Sequence, residues 1–177
     1  MPAFGVRSTR CNNQGYFMDL LITLLIAHLF ADFPLQTNAL ANLKEKHWYG
    51  VFLHVLVHVS VMALLISNSQ HYWPLIFSLG VAHFLIDLGK LFCPAKKGVR
   101  YFLVDQLLHV SSILIATYIA QQVWHPAPTT ALPDGWSLLV LSGALVPALM
   151  VLIWVWLNTL SQEYIAQFQL LHWTKHR

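Results

Sequence analysis

The sequence predicts an all-α membrane protein, a polytopic helical bundle of about five transmembrane helices followed by a C-terminal peripheral helix. Two observations support this fold class. Hydrophobic residues make up 57% of the 177 residues and charged residues only 10%, whereas a soluble domain carries about 25% charged residues. The apolar residues also fall in long blocks, and five of these blocks approach or reach the roughly 20 residues that a spanning helix needs.

The same composition excludes several classes of protein. So apolar a chain is neither a soluble enzyme, nor a disordered chain, nor a collagen-like fibre. The formal net charge is only +3, and the ten Lys and Arg residues lie in small groups between the apolar blocks. A nucleic-acid partner is therefore not expected, because such proteins carry a continuous basic patch or stripe. The two cysteines, Cys11 and Cys93, are too few for a disulfide framework.

The five blocks end at residues that break helices or form turns. The first stops at Pro34, which cannot continue a helix, and the last contains Pro147, which is expected to kink it. Tryptophan and tyrosine stand at several block edges, as in the aromatic belts of membrane proteins. The blocks are Phe17 to Phe33, Trp48 to Ile66, Tyr72 to Phe92, Tyr101 to Val123 and Trp136 to Leu160.

We divide the chain into an N-terminal extension (1–17), a transmembrane helical bundle (18–160) and a C-terminal amphipathic tail (161–177). Met18 is an alternative start of the protein. In the tail, Tyr164, Phe168 and Leu171 recur at helical spacing, which favours a helix lying on the membrane surface. Signal-peptide cleavage near Ala41 is disfavoured, because the polar stretch before it is long for a cleavage region.

The distribution of basic residues orients the bundle. Cytoplasmic connections carry an excess of Lys and Arg, and here these residues concentrate in the first connection, the third connection and the tail. We therefore predict that these three segments, and with them the C-terminus, are cytoplasmic; Arg7 and Arg10 argue mildly against this orientation. The residues that carry the argument are Lys44, Lys46, Lys90, Lys96, Lys97, Arg100, Lys175 and Arg177.

The first four blocks each contain a pair of His or Asp residues four positions apart. This spacing puts both side chains on one face of a helix, one turn apart. Three of the seven acidic residues belong to such pairs, which chance would produce only about once in a thousand sequences of this histidine content. The pairs are His28–Asp32, His54–His58, His83–Asp87 and Asp105–His109.

In the predicted orientation, all four pairs fall in the cytoplasmic leaflet and form two layers about one helical turn, roughly 6 Å, apart. Helical-bundle proteins build dinuclear metal sites from paired ligands on four helices that face inward. We predict all eight residues as metal ligands. The layer nearer the cytoplasm contains Asp32, His54, Asp87 and Asp105, and the deeper layer contains His28, His58, His83 and His109.

Five imidazoles and three carboxylates suit one or two divalent transition-metal ions such as Zn, Mn, Fe or Ni. No Lys or Arg lies well inside a predicted span, and Lys90 is the nearest, so the balancing cation is expected to come from solution. Two other interpretations stay open. The pairs could form only interhelical hydrogen bonds, or two histidines could ligate haem, although haem needs no cluster of carboxylates.

Four strings carry a family resemblance: AHLFADFPLQT, LHVLVH, HFLIDLGK and FLVDQLLH. In this order, over about Met18 to Val123, they resemble the domain of unknown function 3307 family of small bacterial inner-membrane proteins. The resemblance implies a multi-pass protein of the bacterial inner (cytoplasmic) membrane, with no established activity. The motifs are more weakly similar to those of membrane-bound metal-dependent hydrolases.

Three functions follow as hypotheses. The first is a metal-dependent hydrolase acting on a membrane-associated substrate, with Asp32 as the candidate general base because it lies nearest the cytoplasmic mouth. The second is a metal-stabilised sensor or structural subunit that docks a protein partner, which the sequence does not identify. The third is a metal or proton transporter. The transporter is disfavoured because only scattered polar residues lead to the other membrane face.

Overall fold

A computed structural model of the chain describes residues 6–92, 98–124, 128–133 and 135–174, and the side chains of residues 15–166 within these ranges. Cys93, Lys96, Lys97, Lys175, Arg177 and the side chains of Phe168 and Leu171 lie outside the described part. Five of the six helices are long and apolar enough to span a membrane, which confirms the all-α membrane bundle. The helices are α1 (Val6–Asp32), α2 (Asn38–Lys44), α3 (Trp48–Leu65), α4 (Trp73–Phe92), α5 (Val99–Val123) and α6 (Trp136–Thr174).

Four of the long helices form a closed ring around the bundle axis. Helix α1 packs against α3, α3 against α4, α4 against α5, and α5 against α1. Each helix of this ring carries one of the four His/Asp pairs, so its polar positions can face the centre while its apolar side faces lipid. Helix α6 packs outside the ring against α1 and α5, and Ala144 is its one buried residue among those described.

Two helices extend beyond the blocks that the hydropathy pattern predicts. Helix α1 begins at Val6, eleven residues before the predicted start at Phe17. Helix α6 continues through Pro147 and past Leu160 as one helix of 39 residues. The division of the chain at residues 17 and 160 stays a prediction.

The short helix α2 lies in the connection between α1 and α3, where no helix is predicted. Thr37 caps it, because its hydroxyl accepts a hydrogen bond from the Leu40 amide at 3.2 Å. The helix rests on the first turn of α3 at Gly50, where a Cβ atom would lie 2.4 Å from the carbonyl carbon of Leu43. Glycine is therefore required where the two helices approach each other. This contact places Lys44, the last residue of α2, near the bundle axis.

A hydrophobic core fills the part of the ring between the polar pairs and the opposite end. Every pair lies at the end where α1 and α4 finish and α3 and α5 begin, which we call the site end. The residues of the main hydrophobic cluster all lie on the other side of the pairs, whereas the buried Val51 lies on the site side. The larger members of the cluster are Leu20, Leu24, Met62, Ile66, Tyr72, Leu75, Ile76, Leu79 and Ile113.

The segment 128–133 closes the end of the bundle opposite the site. Thr130 pairs with Ile66 as an isolated β-bridge, and the Ala131 amide donates to the Leu65 carbonyl at 2.7 Å. The carboxylate of Asp19 accepts the Thr130 amide at 3.0 Å. Backbone groups that would otherwise be unpaired at this helix end are thus satisfied within the protein.

We expect Asp19→Ala to lower the free energy of unfolding by about 1–3 kcal/mol, because the Thr130 amide loses a charged acceptor. Asp19→Asn keeps an acceptor oxygen at the same position and should lose clearly less. Thermal unfolding of both variants in detergent, followed by circular dichroism, measures the difference. Equal losses in the two variants would show that this hydrogen bond does not stabilise the closed end.

Candidate metal centre

The structure brings all eight predicted site residues to the site end of the helical ring. Seven of them are buried, and His54 is completely inaccessible. Asp105 is half-buried. The i, i+4 spacing on each of the four helices places both members of a pair on the inward face, so the eight side chains converge as expected.

The four histidines of the deeper layer form one cluster of imidazole rings. The ring centroids of His58 and His83 are 3.7 Å apart, and those of His83 and His109 are 4.2 Å apart. His28 completes the cluster by stacking on His109 at 5.2 Å. Each helix of the ring contributes one of these imidazoles, so the cluster joins all four helices.

Three potential ligand atoms form a tight triangle beside this cluster. Asp32 Oδ1 lies 2.9 Å from His54 Nε2 and 3.0 Å from His58 Nε2, and the two nitrogens are 3.2 Å apart. If both imidazoles donate a proton to the carboxylate, their two N–H groups face each other. Hydrogen bonds can therefore satisfy at most two of the three edges of the triangle.

A bound cation satisfies all three edges at once. Ligand atoms about 2.0–2.1 Å from a tetrahedral ion stand roughly 3.3 Å from one another, close to the edges of the triangle. His83 Nε2 lies 4.0 Å from Asp32 Oδ1 and completes a four-residue group that could hold a metal ion. The donor set of this group, three imidazoles and one carboxylate, is one that first-row divalent ions accept.

A second group consists of His83, Asp87 and His109. The Nδ1 atom of His109 lies 2.9 Å from the backbone carbonyl oxygen of Asp105. Because a carbonyl oxygen can only accept a hydrogen bond, Nδ1 carries the proton. The neutral ring then presents a lone pair at Nε2. The Nε2 atoms of His83 and His109 have no hydrogen-bond partner within the described part of the chain. His83 Nε2 lies 3.5 Å from Asp87, so the two groups share one nitrogen.

Two predicted ligands lie outside both groups. His28 Nε2 lies 3.3 Å from the amide oxygen of Gln106, to which it donates, and this nitrogen is then not free to ligate. Asp105 forms an ion pair of 2.8 Å with Lys90. The ligand role of all eight residues stays a prediction, but six of them have the geometry for it.

Comparison with known proteins agrees with the four motifs of the sequence. The sequence model described as "Protein of unknown function (DUF3307)" matches residues 20–134. The chain belongs to the DUF3307 family. The matched region contains all eight site residues of this DUF3307 protein and all of α2 to α5, whereas α6 lies outside it. No curated protein and no solved structure matches the chain, and the weaker likeness to hydrolases stays a prediction.

Two lysines that sequence reasoning did not assign to the site belong to it. Lys90 of α4 is paired with both Asp87 and Asp105. Lys44 of α2 has its ammonium 3.5 Å from Asp87 and 3.2 Å from His54 Nε2. The expectation that the whole balancing charge comes from solution was therefore wrong. With neutral histidines, the two ammonium groups leave one of the three carboxylates of the DUF3307 site uncompensated.

A small cavity adjoins the histidine cluster on the side of the hydrophobic core. Its volume is about 20 Å³, which is enough for one water molecule. Four imidazoles line one side of it, and apolar side chains line most of the other, so a water there would have polar partners only toward the cluster. The lining residues are Leu24, His28, His58, Met62, Leu79, His83, His109, Ser112 and Ile113.

The ion pairs of Asp87 give an asymmetric stability prediction. Asp87→Ala should lower the free energy of unfolding by about 3 kcal/mol or more, because Lys44, with only 17% of its side chain exposed, loses its carboxylate. Lys90→Ala should cost clearly less, because the Lys90 side chain is 44% exposed, Asp87 keeps Lys44, and the carboxylate left without a lysine, Asp105, is partly exposed. Thermal unfolding of the two variants, without added metal, gives the comparison. A larger loss for Lys90→Ala would contradict this account of the charges.

Proposed function

We propose that this DUF3307 protein is a membrane-embedded, metal-dependent hydrolase that holds one divalent transition-metal ion at the site end of the bundle. The observation that supports this most directly is the triangle of Asp32 Oδ1, His54 Nε2 and His58 Nε2, whose edges measure 2.9–3.2 Å. Hydrogen bonds to Asp32 leave the 3.2 Å contact between the two imidazole nitrogens unbonded, whereas an ion among the three atoms takes one lone pair from each.

The proposed ligands are Asp32, His54, His58 and His83, and the proposed ion is Zn, Mn, Fe or Ni. Two features favour one ion over two. The second group depends on the same His83 nitrogen as the first. Its carboxylate, Asp87, is already paired with Lys44 and Lys90.

A divalent cation at this position supplies an acidified water molecule and polarises a bound carbonyl or phosphoryl group. In the proposed mechanism, Asp32 would hold the ion through Oδ1, and its second oxygen would serve as the base for a bound water. His28 Nε2 lies 3.6 Å from that second oxygen, beyond hydrogen-bond distance, and donates its proton to Gln106 instead. The cavity beside His58 and His83 provides room for one water molecule.

We place the site end in the cytoplasmic leaflet of a bacterial inner membrane, because Lys44, Lys46, Lys90 and Arg100 lie at this end. The site is accessible from outside the bundle at Lys90, which is partly exposed, and at Asp105, which is half-buried. A site at this depth favours a membrane-associated substrate, such as a lipid, a lipid-linked molecule or a membrane peptide.

The other two functions have different support. The ion pairs of Lys44 and Lys90 with the carboxylates favour one alternative, a metal-stabilised sensor or structural subunit. These lysines already neutralise two carboxylates without an ion. Transport is opposed by the hydrophobic core, which separates the polar site from the opposite end, since ions do not cross dry hydrocarbon.

The decisive experiment measures metal content and hydrolysis together. Detergent-purified protein should contain about one equivalent of a transition metal by elemental mass spectrometry. It should also cleave phosphodiester or acyl-ester reporter lipids only when metal is present. His58→Ala removes a corner of the triangle and should lose both properties. His71→Ala, an exposed histidine at the opposite end, is the matched control and should keep both.

Two results would contradict the proposal in different ways. A folded wild-type protein that takes up none of the four metals would leave the site as an interhelical hydrogen-bond network. A protein that binds one metal through His58, yet cleaves none of the lipid, lipid-linked or peptide reporters, would favour the sensor or structural subunit.

Transport can be tested separately in sealed vesicles. We expect reconstituted protein to carry Zn²⁺ or Mn²⁺ into dye-loaded liposomes no faster than empty liposomes do, because Leu24, Met62, Leu79 and Ile113 separate the site from the opposite end. Metal uptake that depends on His58 would establish a path through this core and overturn the assignment.

A further inference from the structure

We propose that α2 is a movable cover over the metal site and that Lys44 is a built-in competitor for the metal ligand His54. This inference rests on the proposed metal site and adds to it a control of metal binding. It predicts that removing the positive charge of Lys44 strengthens metal binding, whereas removing a ligand weakens it.

The first observation is the contact between Lys44 and His54. The Lys44 ammonium lies 3.2 Å from His54 Nε2, and an ammonium group can only donate hydrogen bonds. His54 must therefore offer it the Nε2 lone pair. A metal ion needs the same lone pair, so the ion and the Lys44 contact exclude each other.

The second observation is that this contact is in conflict with its neighbours. The 2.9 Å contact between Asp32 Oδ1 and the same Nε2 atom is a hydrogen bond only if His54 donates a proton there. One nitrogen cannot donate to Asp32 and accept from Lys44 in the same protonation state. The Lys44 contact with His54 is consequently easy to displace, and Lys44 keeps a carboxylate partner in Asp87 at 3.5 Å.

The third observation concerns how α2 is held. The helix has seven residues, none of them buried, and it packs against α3 alone among the described helices. Its seat is the Gly50 position, where the α2 backbone touches α3. A short element with no buried residue can move as a unit at low cost. Such a movement takes the Lys44 ammonium off His54 and opens the site end.

The test compares the Zn²⁺ affinity and association rate of the full chain in nanodiscs. Lys44→Met should bind Zn²⁺ roughly tenfold more tightly than the wild type and associate faster, an effect of the size seen for residues next to metal ligands. Lys44→Arg keeps the positive charge and should behave as the wild type. Lys46→Met removes a neighbouring exposed lysine and is the matched control, with no change expected.

A second variant reaches the same contact without altering Lys44. Gly50→Ala introduces a Cβ that collides with the α2 backbone and should displace the cover, giving tighter Zn²⁺ binding as in Lys44→Met.

The outcomes separate this inference from the proposed function. Equal or weaker Zn²⁺ binding by Lys44→Met, with normal binding by the wild type, would overturn the competition and leave the metal site standing. Absence of Zn²⁺ binding in the wild type and in every variant would overturn both.

Discussion

The burial of three carboxylates at one end of an apolar helical bundle is the constraint on which the rest of this structure depends. An Asp at the middle of a spanning helix costs about 2.5–3.5 kcal/mol on insertion scales, and less toward the helix ends where these three lie. The cost falls further when a cation or a hydrogen-bond donor faces the carboxylate. Asp32, Asp87 and Asp105 come from three helices, so compensation requires these helices to turn the same face inward. The histidines of all four ring helices share that compensation, which explains why α1, α3, α4 and α5 close into a ring.

The same constraint gives the bundle two unlike ends. Polar side chains gather where α1 and α4 finish, and mainly apolar residues occupy the rest of the interior. Buried Thr23 and Thr117 also lie there, and their hydroxyls donate to backbone carbonyls of their own helices. At the opposite end, the segment 128–133 satisfies backbone groups with backbone bonds and with Asp19. The described side chains of helix α6 include no member of the polar site, and this helix packs outside the ring.

Local patterns allowed the helices and the four pairs to be predicted, because hydropathy and i, i+4 spacing depend only on neighbouring residues. Lys44 escaped prediction because it reaches the site through the contact of α2 with Gly50, which is not local. Lys90 lies three positions after Asp87, but its place near a helix end suggested a solvent-facing residue. A long lysine side chain can nevertheless reach back to buried carboxylates. The exclusion of His28 from the ligand groups depends on the position of the Gln106 amide, which no spacing rule encodes.

The lysines decide how many ions the site can accept. They compensate Asp87 and Asp105 and leave Asp32, whose Oδ1 forms the triangle with His54 and His58. One divalent ion there changes the net charge of the site from about −1 to +1, which a single bound hydroxide or anionic substrate group can neutralise. Two ions would leave a net charge of about +3 in a medium that penalises any uncompensated charge. The charge count and the shared nitrogen of His83 thus favour a single ion, although the paired ligands on four helices resemble a dinuclear centre.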